Sequence, residues 1–243
     1  MNDGIAFTAL PTSADDAFAR HLLPAGSYSA GGVAAPSSRV MDTGAAHPDM
    51  VRLGALMERY ADGDDGVFDQ LYELMAPKLF RFCMRLTMRA AEAEDCFQET
   101  FLKLHRARGT YAGGSSALPW AFAIARSVYL TRLRYWRRHP EQLGIQEDVA
   151  EHDAHTRADR VSPEDQIAAV HMLDVVTVEL SKMSEKNRTA YVLLKEENLS
   201  TKEAAALLGT STDVVKQRAH RACEQLRAAL HAAGWRDHGT NEE

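Results

Sequence analysis

Apolar residues recur every three or four positions along two long parts of the chain, which is the spacing of one face of an α-helix. From Val51 to Leu86 this pattern predicts a group of helices, which the Gly- and Asp-rich stretch 61–66 interrupts. Pro77 lies where such a helix would kink or restart. We expect these helices to form a core around the segment that follows them.

The helical pattern continues over 91–108 with polar and apolar faces that are clearly separated. Phe97, Phe101 and Leu104 follow the i, i+4, i+7 spacing of a buried face. The other sides carry polar side chains at Asp95, Gln98 and Glu99. From charge alone, such a patch is typical of a solvated helix face.

A short loop rich in Gly and Ser, 112–117, separates this helix from a second and strongly basic one. In the basic helix, apolar side chains are expected to pack inward at Phe122, Ile124, Ala125, Val128, Leu130 and Leu133. Its arginines are Arg126, Arg132, Arg134, Arg137 and Arg138. Arginine side chains on one helix suit phosphate oxygens, so this helix is a candidate for binding nucleic acid.

The C-terminal part carries the pattern of a helix-turn-helix. Ser162, Pro163 and two acidic residues are typical of a helix start. Ser200 and Glu203 match a capping box, and Gly209 supplies a tight turn. A second helix is predicted to follow, capped by Thr210 and Asp213, which have the same spacing as that box. The polar side of this helix carries Lys216, Gln217, Arg218, His220 and Arg221. Such a helix can enter a major groove.

Composition and charge narrow the class of protein. The chain has 243 residues, of which 45% are hydrophobic, and a net charge of −6. This average argues against nucleic acid, but the basic residues concentrate in 126–138 and 216–227, and a DNA-binding face needs only local positive potential. No apolar run approaches a membrane span, and the N-terminus lacks a signal-peptide pattern, so we expect a cytoplasmic protein with no membrane insertion.

The residues that could support metal or redox chemistry are sparse. The three cysteines are widely separated and form no CxxC pair, which argues against disulfides and zinc. His152, Asp153 and His155 lack further ligands, and His220 with Cys223 is better explained as a polar face beside a packed thiol. The chain also lacks a phosphate-binding Gly loop and a nucleophile motif. We therefore predict no enzyme activity, no cofactor and no metal.

The predicted fold is all-α, with two small helical domains joined by a flexible linker. We expect a disordered N-terminal extension at 1–48, a first helical domain at 49–138, an acidic linker at 139–161, a helix-turn-helix domain at 162–233 and a tail at 234–243.

Two blocks of this sequence resemble the extracytoplasmic-function (ECF) group of bacterial sigma factors, which direct core RNA polymerase to promoters. Glu94-Asp95-x-x-Gln98-Glu99-Thr100-Phe101 is similar to the polymerase-docking helix of that family, and 120–138 is similar to its promoter-melting helix. The string LS-x-x-EAA-x-LLG-x-S-x-x-x-VKQRAHRA resembles its region that reads the −35 element. The resemblance implies that 49–138 is sigma region 2 and 162–233 is sigma region 4.

The family also implies roles for individual residues. In the family, the docking helix contacts the coiled coil of the polymerase clamp. The matching positions here are Asp95, Gln98, Glu99 and Phe101, with His105 as a neighbouring contact. For the −10 element the matching or available residues are Tyr111, Ser115, Ser116, Trp120, Arg126, Ser127, Arg132, Arg134, Arg137 and Arg138. For the −35 element they are Thr212, Asp213, Lys216, Gln217, Arg218 and Arg221.

The implied partners are core RNA polymerase, promoter DNA and, as a candidate, an anti-sigma factor. Two positions depart from the family pattern, because Ser127 and Thr131 stand where Asn and Asp are common. These departures concern how the −10 element is read more than the class of activity.

Two other functions are compatible with parts of the pattern. A conventional helix-turn-helix repressor or activator would bind duplex DNA tightly by itself, at a palindromic site. A helical adaptor or anti-sigma antagonist would use the acidic patch to occupy a partner, but it would not need the basic stretch 126–138.

Overall fold

A computed structural model describes residues 48–114, 116–139 and 163–235, apart from the side chains of 48 and 163–167. The predicted N-terminal extension, most of the linker and most of the tail lie outside this range, as do Ser115, Ser162 and the candidate ligands at 152–155. Every regular element in the described part is helical, so the all-α prediction is confirmed.

Within residues 48–139, as far as the structure describes them, four α-helices form the N-terminal domain. They are α1 (Pro48–Ala61), α2 (Phe68–Thr87), α3 (Ala90–Ala107) and α4 (Ala117–Arg138). Pro77 lies inside α2, which continues through it as one helix, so the helix does not restart there. Met88 ends α2 in the left-handed conformation, at a φ of 59°. The polypeptide then turns directly into α3.

Four further helices form the C-terminal domain: α5 (Pro163–Lys182), α6 (Glu185–Tyr191), α7 (Thr201–Leu208) and α8 (Thr212–Ala232). A π-helical turn at Val192–Glu196 extends α6. The predicted capping box at Ser200 and Glu203 is present, and Gly209 adopts the left-handed conformation between α7 and α8. The prediction that Thr210 and Asp213 cap α8 is wrong. Ser211 caps it instead, because its side chain accepts a hydrogen bond from the Val214 N–H.

An aromatic cluster fills the core beneath α3. Phe97 and Phe101 lie 5.1 Å apart between ring centroids, and Tyr72 lies 4.8 Å from Phe101. Phe68 meets Phe101 edge to face at 6.4 Å. Edge-to-face and tilted ring pairs of this kind add to the stability that burial already provides. The apolar face of α3 is therefore firmly held, and its polar face points outward.

The two domains pack against each other, which the linear pattern of residues did not indicate. Arg81 of α2 bonds both carboxylate oxygens of Glu197, at 2.9 and 3.1 Å. Arg85 bonds Glu196 at 2.9 Å. The Glu197 side chain is fully buried, and a buried carboxylate is stable only when such a partner compensates for its lost hydration. The described parts of both domains also contribute to one hydrophobic cluster.

Arg188 of α6 is a second link between the domains. Its guanidinium donates to the carbonyls of Leu180 and Met183 within its own domain, and to Leu86 across the interface at 3.0 Å. Leu86 lies in the last turn of α2, where carbonyls have no partner within the helix. Arg188 therefore supplies, from the C-terminal domain, the hydrogen-bond donor that the Leu86 carbonyl lacks within α2.

In the described part of the chain, no helix combines the length and apolar character needed to cross a membrane.

Candidate functional site

The polar face of α3 is a small acidic surface. Asp95 and Gln98 are exposed, and Glu99 is half-buried beside Lys103, whose Nζ lies 3.1 Å from a Glu99 carboxylate oxygen. These three predicted docking residues lie on the side of α3 opposite the aromatic cluster. We call Asp95, Gln98 and Glu99 the acidic face. It offers carboxylates and an amide to a partner from a helix that the core holds rigidly.

Two other residues predicted for docking have different surroundings. Phe101 is fully buried within the aromatic cluster, so it supports α3 from beneath and offers no surface to a partner. His105 is half-buried, and its Nδ1 lies 2.5 Å from the Tyr60 hydroxyl of α1. Arg108 covers the Tyr60 ring at 5.3 Å. Burial raises the pKa of Tyr60, although the nearby Arg108 charge opposes this shift.

Arg132 of α4 reaches across to the acidic face. Its Nη2 lies 2.5 Å from an Asp95 oxygen, and its Nη1 lies 3.7 Å from a Glu99 oxygen. The guanidinium also lies over the Trp136 ring, 5.3 Å from the centroid. Sequence reasoning grouped Arg132 with the DNA-contacting arginines, whereas the structure places it among the predicted docking residues.

The loop before α4 is anchored to α1. The Gly114 N–H donates to a Glu58 carboxylate oxygen at 2.7 Å, and Gly114 has a φ of 77°, which suits glycine. Tyr111 is buried and meets Trp120 edge to face at 5.4 Å. These two aromatic residues, both predicted for the −10 element, therefore lie together, with Trp120 the more exposed of the two.

The C-terminal half of α4 is a basic surface with an aromatic pair. Arg134, Arg137 and Arg138 are all exposed there. Tyr135 is 48% exposed and stacks on His139 at 4.4 Å. Ser127, which lies about two helical turns before Arg134 on the same helix, is also exposed. Tyr135 and His139 were absent from the predicted site, although an exposed aromatic among arginines was the available signal.

The C-terminal domain covers the beginning of this surface. The Arg126 Nε lies 3.9 Å from a Glu185 oxygen of α6, and only about a fifth of either side chain is exposed. Ser116, at the start of α4, lies close to Glu203 of α7 but stays exposed. Burial opposes ionisation of Glu203, but hydrogen bonds from Ser200 and Ser116 lower its pKa on balance. Burial raises the pKa of Tyr129 on the same helix, although the nearby Arg188 charge opposes this shift.

The polar side of α8 is the third candidate surface. Asp213, Lys216, Gln217 and Arg221 are exposed there, whereas Thr212 and Arg218 are half-buried. Val215, Ala219 and Ala222 face the core, so the predicted division of this helix into two faces is confirmed. His220 pairs with Glu224 at 3.3 Å. A helix presented by a preceding short helix and a glycine turn has the geometry that enters a major groove.

Candidate ligands and nucleophiles are few in the described residues. No group of three or more His, Cys, Asp or Glu side chains there could hold a metal ion. Cys83 and Cys96 are buried next to each other, where a hydrogen bond between them raises the pKa of Cys83 and lowers that of Cys96. Both thiols lie in the core beneath α3, so they pack the fold.

Family models match both domains. The model of sigma-70 region 2 matches residues 71–139, and the model of sigma-70 region 4 matches residues 165–226. The first contains the acidic face and the basic surface of α4, and the second contains the turn and most of α8.

Individual proteins match over most of their length. RNA polymerase sigma factor CarQ of Myxococcus xanthus is 36% identical over 176 residues, which cover 72% of this chain and 95% of that protein. ECF RNA polymerase sigma factor SigW of Bacillus subtilis is 27% identical, over 69% of this chain and 91% of that protein. RNA polymerase sigma-H factor of Pseudomonas aeruginosa is 30% identical, over 72% of this chain and 92% of that protein.

Solved structures share the fold. Sigma factor RpoE of Bartonella quintana, solved in complex with the anti-sigma factor NepR, superposes with a TM-score of 0.54 at 26% identity, over 68% of this chain and 96% of that one. CnrH, solved in complex with the cytosolic domain of CnrY, gives a TM-score of 0.52 at 23% identity, over 74% of this chain and 97% of that one. The second likeness concerns the fold alone.

Proposed function

The chain belongs to the ECF group of sigma factors, and we propose that it docks on core RNA polymerase through the acidic face of α3. As a sigma factor, it directs RNA polymerase to promoters and takes part in transcription initiation. The observation that supports this proposal is a row of polar groups on α3, exposed at Asp95 and Gln98 and half-buried at Glu99, opposite a side of the helix that is buried in the core. Charged groups at the edge of an interface mainly affect the association rate and the orientation of the two partners, and they contribute less to the total affinity.

The basic surface of α4 is the proposed −10 contact. Arg134, Arg137 and Arg138 are exposed and suit the phosphates of the DNA backbone. Extruding a base costs a few kcal/mol, which the protein can offset with a stacking surface. Trp120 and Tyr135 are partly or largely exposed aromatic rings on this helix that could supply it.

Arg126 and Ser116 belong to the same proposed −10 surface, and in this structure Arg126 lies 3.9 Å from Glu185 of the C-terminal domain. Ser116 is exposed as it stands, whereas the Arg126 guanidinium becomes fully available to DNA when that domain moves away. Melting of the promoter itself needs no hydrolysis, because captured bases and polymerase contacts offset the cost of strand opening.

The polar side of α8 is the proposed reader of the −35 element. Gln217 and Arg218 can form bidentate hydrogen bonds with base edges, and Lys216 and Arg221 suit phosphates. Thr212 and Asp213 lie at the start of the helix, which is the end that approaches the bases in helix-turn-helix proteins.

The wider biological setting follows from the family. Sigma factors are generally regulators without enzyme activity, and we propose the same for this chain. We also propose a cytoplasmic location, where polymerase acts, and an anti-sigma factor as an additional partner, since the RpoE relative was solved with one. Membership of the sigma family disfavours both the conventional regulator and the adaptor.

Docking can be tested by binding core RNA polymerase to the full chain. We expect Asp95→Asn with Glu99→Gln to weaken polymerase binding by roughly tenfold or more, since close charge pairs at interfaces contribute about 1.5 kcal/mol upward. Fluorescence anisotropy of the labelled chain measures the dissociation constant. These neutral replacements avoid placing new positive charges beside Arg132.

A matched control is Glu73→Gln on α2, which removes an exposed carboxylate outside the acidic face. It should bind polymerase like the wild type. If the double variant also binds normally, the proposed docking surface is incorrect.

Promoter reading can be tested separately at α8. Arg218→Ala is expected to cost about 1–3 kcal/mol of binding to the −35 element if this side chain contacts a base. The measurement is the affinity of the assembled holoenzyme for a promoter fragment, compared with a fragment whose −35 element is scrambled. Gln225→Ala, an exposed polar residue farther along α8, serves as the control. An equal loss on both fragments would show that Arg218 reads no base.

A further inference from the structure

Arg132 forms the link between the two helices that carry the proposed polymerase and −10 surfaces. We propose that Arg132 is a positioning residue for docking: it holds the carboxylates of Asp95 and Glu99 in the arrangement that meets the polymerase, and it is not a DNA contact. This inference rests on the proposed docking function of the acidic face. The inference assigns Arg132 to polymerase docking, whereas the arginines near it in the sequence suggest a DNA contact.

The guanidinium has a fixed position. It lies over the Trp136 ring, and the Arg132 side chain is only 25% exposed. The Nε is buried and has no hydrogen-bond partner among the described residues, so the ion pairs use the two terminal nitrogens. An arginine that is stacked and buried at its stem loses little further freedom when its terminal nitrogens bind.

The two carboxylates need such a partner because of their spacing. Asp95 and Glu99 lie at i and i+4 on α3, where like charges repel. The Arg132 guanidinium bonds Asp95 through one nitrogen and approaches Glu99 with the other. Lys103 also pairs with Glu99, but Arg132 is the residue that joins both carboxylates. Its planar fork therefore fixes their separation.

A role in DNA binding would require Arg132 to break both ion pairs. The other arginines at this end of α4 face no such competition. Within the described part of the chain, Arg134, Arg137 and Arg138 have no carboxylate in ion-pair contact, and all three are exposed. The helix thus divides its arginines: Arg132 faces the acidic face of α3, and the last three face outward.

The test is a double-mutant cycle on the full chain with core RNA polymerase. Arg132→Ala is expected to weaken polymerase binding by about twofold to 150-fold, the range for groups coupled in one ion-pair network. Asp95→Asn should weaken it as well, and the double variant should bind little worse than Asp95→Asn alone. Arg132→Lys should give an intermediate affinity, because lysine keeps the charge but lacks the fork.

The second measurement is promoter binding by preassembled holoenzyme at saturating polymerase. Arg132→Ala should leave the affinity for a forked −10 fragment unchanged, whereas the matched variant Arg137→Ala should lower it and leave polymerase binding unchanged. Circular dichroism and urea unfolding compare the fold of each variant. If Arg132→Ala fails to fold, Arg132→Gln and Arg132→Lys carry the same comparison.

The outcomes separate the two proposals. Normal polymerase binding by Arg132→Ala, or additive losses in the cycle, would overturn the positioning role while docking through the acidic face still stands. Loss of −10 binding with normal docking would assign Arg132 to DNA. If Asp95→Asn, Glu99→Gln and Arg132→Ala all bind polymerase normally, then the docking function fails and the positioning role fails with it.

Discussion

Replacing Glu196 and Glu197 together with arginine is expected to separate the two domains. In the native interface these carboxylates pair with Arg85 and Arg81, and Glu197 is fully buried. Breaking a buried pair by removing one partner costs about 3–5 kcal/mol, and the new charges would add repulsion. Small-angle scattering should show a larger radius of gyration while circular dichroism keeps its helical signal. Separation would also uncover Arg126, which lies against Glu185 in the packed structure.

A matched charge reversal at an exposed site tests whether the effect is local. Glu224→Arg on α8 changes the charge equally, but Glu224 is exposed and pairs only with His220 in the described structure. Because such surface pairs contribute about 0–1 kcal/mol, this variant should keep the wild-type radius. An unchanged radius in the Glu196→Arg, Glu197→Arg variant would mean that the remaining contacts, among them the apolar cluster and the Arg188–Leu86 hydrogen bond, hold the domains together.

Phe101→Ala is expected to lower the free energy of unfolding by about 3–5 kcal/mol, the range for a large aromatic removed from a core. The ring is fully buried and contacts Phe68, Tyr72 and Phe97 at centroid distances from 4.8 to 6.4 Å. Its loss would leave a cavity directly beneath the acidic face. Urea unfolding monitored by circular dichroism measures the change.

Leu102→Ala on the next position of α3 is the matched control, since Leu102 is only partly buried. It should cost clearly less stability than Phe101→Ala. A milder variant, Phe101→Leu, is then compared with the wild type for polymerase binding under conditions where it is folded. This measurement decides whether Phe101 supports α3 from the core or contacts the polymerase directly. Normal affinity of Phe101→Leu agrees with a supporting role. A large loss of affinity with unchanged stability would restore Phe101 to the docking surface.

The patterns that sequence reasoning interpreted correctly were local ones. The apolar spacing of Phe97, Phe101 and Leu104 predicted the buried side of α3, because helical periodicity alone decides which residues share a face. The capping box at Ser200 and the turn at Gly209 were likewise readable, since each depends on a few adjacent residues. The cap of α8 was misplaced by one position because Thr210 and Ser211 are neighbouring candidates of similar chemistry.

Side-chain partners across helices were not readable in the same way. Arg132 shares a helix and a charge with Arg134, so periodicity and composition treat them alike. Only the packing of α4 against α3 brings Arg132 to Asp95 and leaves Arg134 outside. His105 similarly follows the docking pattern in sequence, but the neighbouring α1 supplies Tyr60 as its partner.

The amino-acid sequence was sufficient to predict the helices, the division into two domains, the three candidate surfaces and the family. These depend on local spacing and on motifs that lie within single segments. Helix packing pairs Glu196 and Glu197 with Arg85 and Arg81, which are more than 100 positions away. It likewise decided that the C-terminal domain covers Arg126. Such contacts arise from the geometry of packed helices, and no local pattern of residues specifies them.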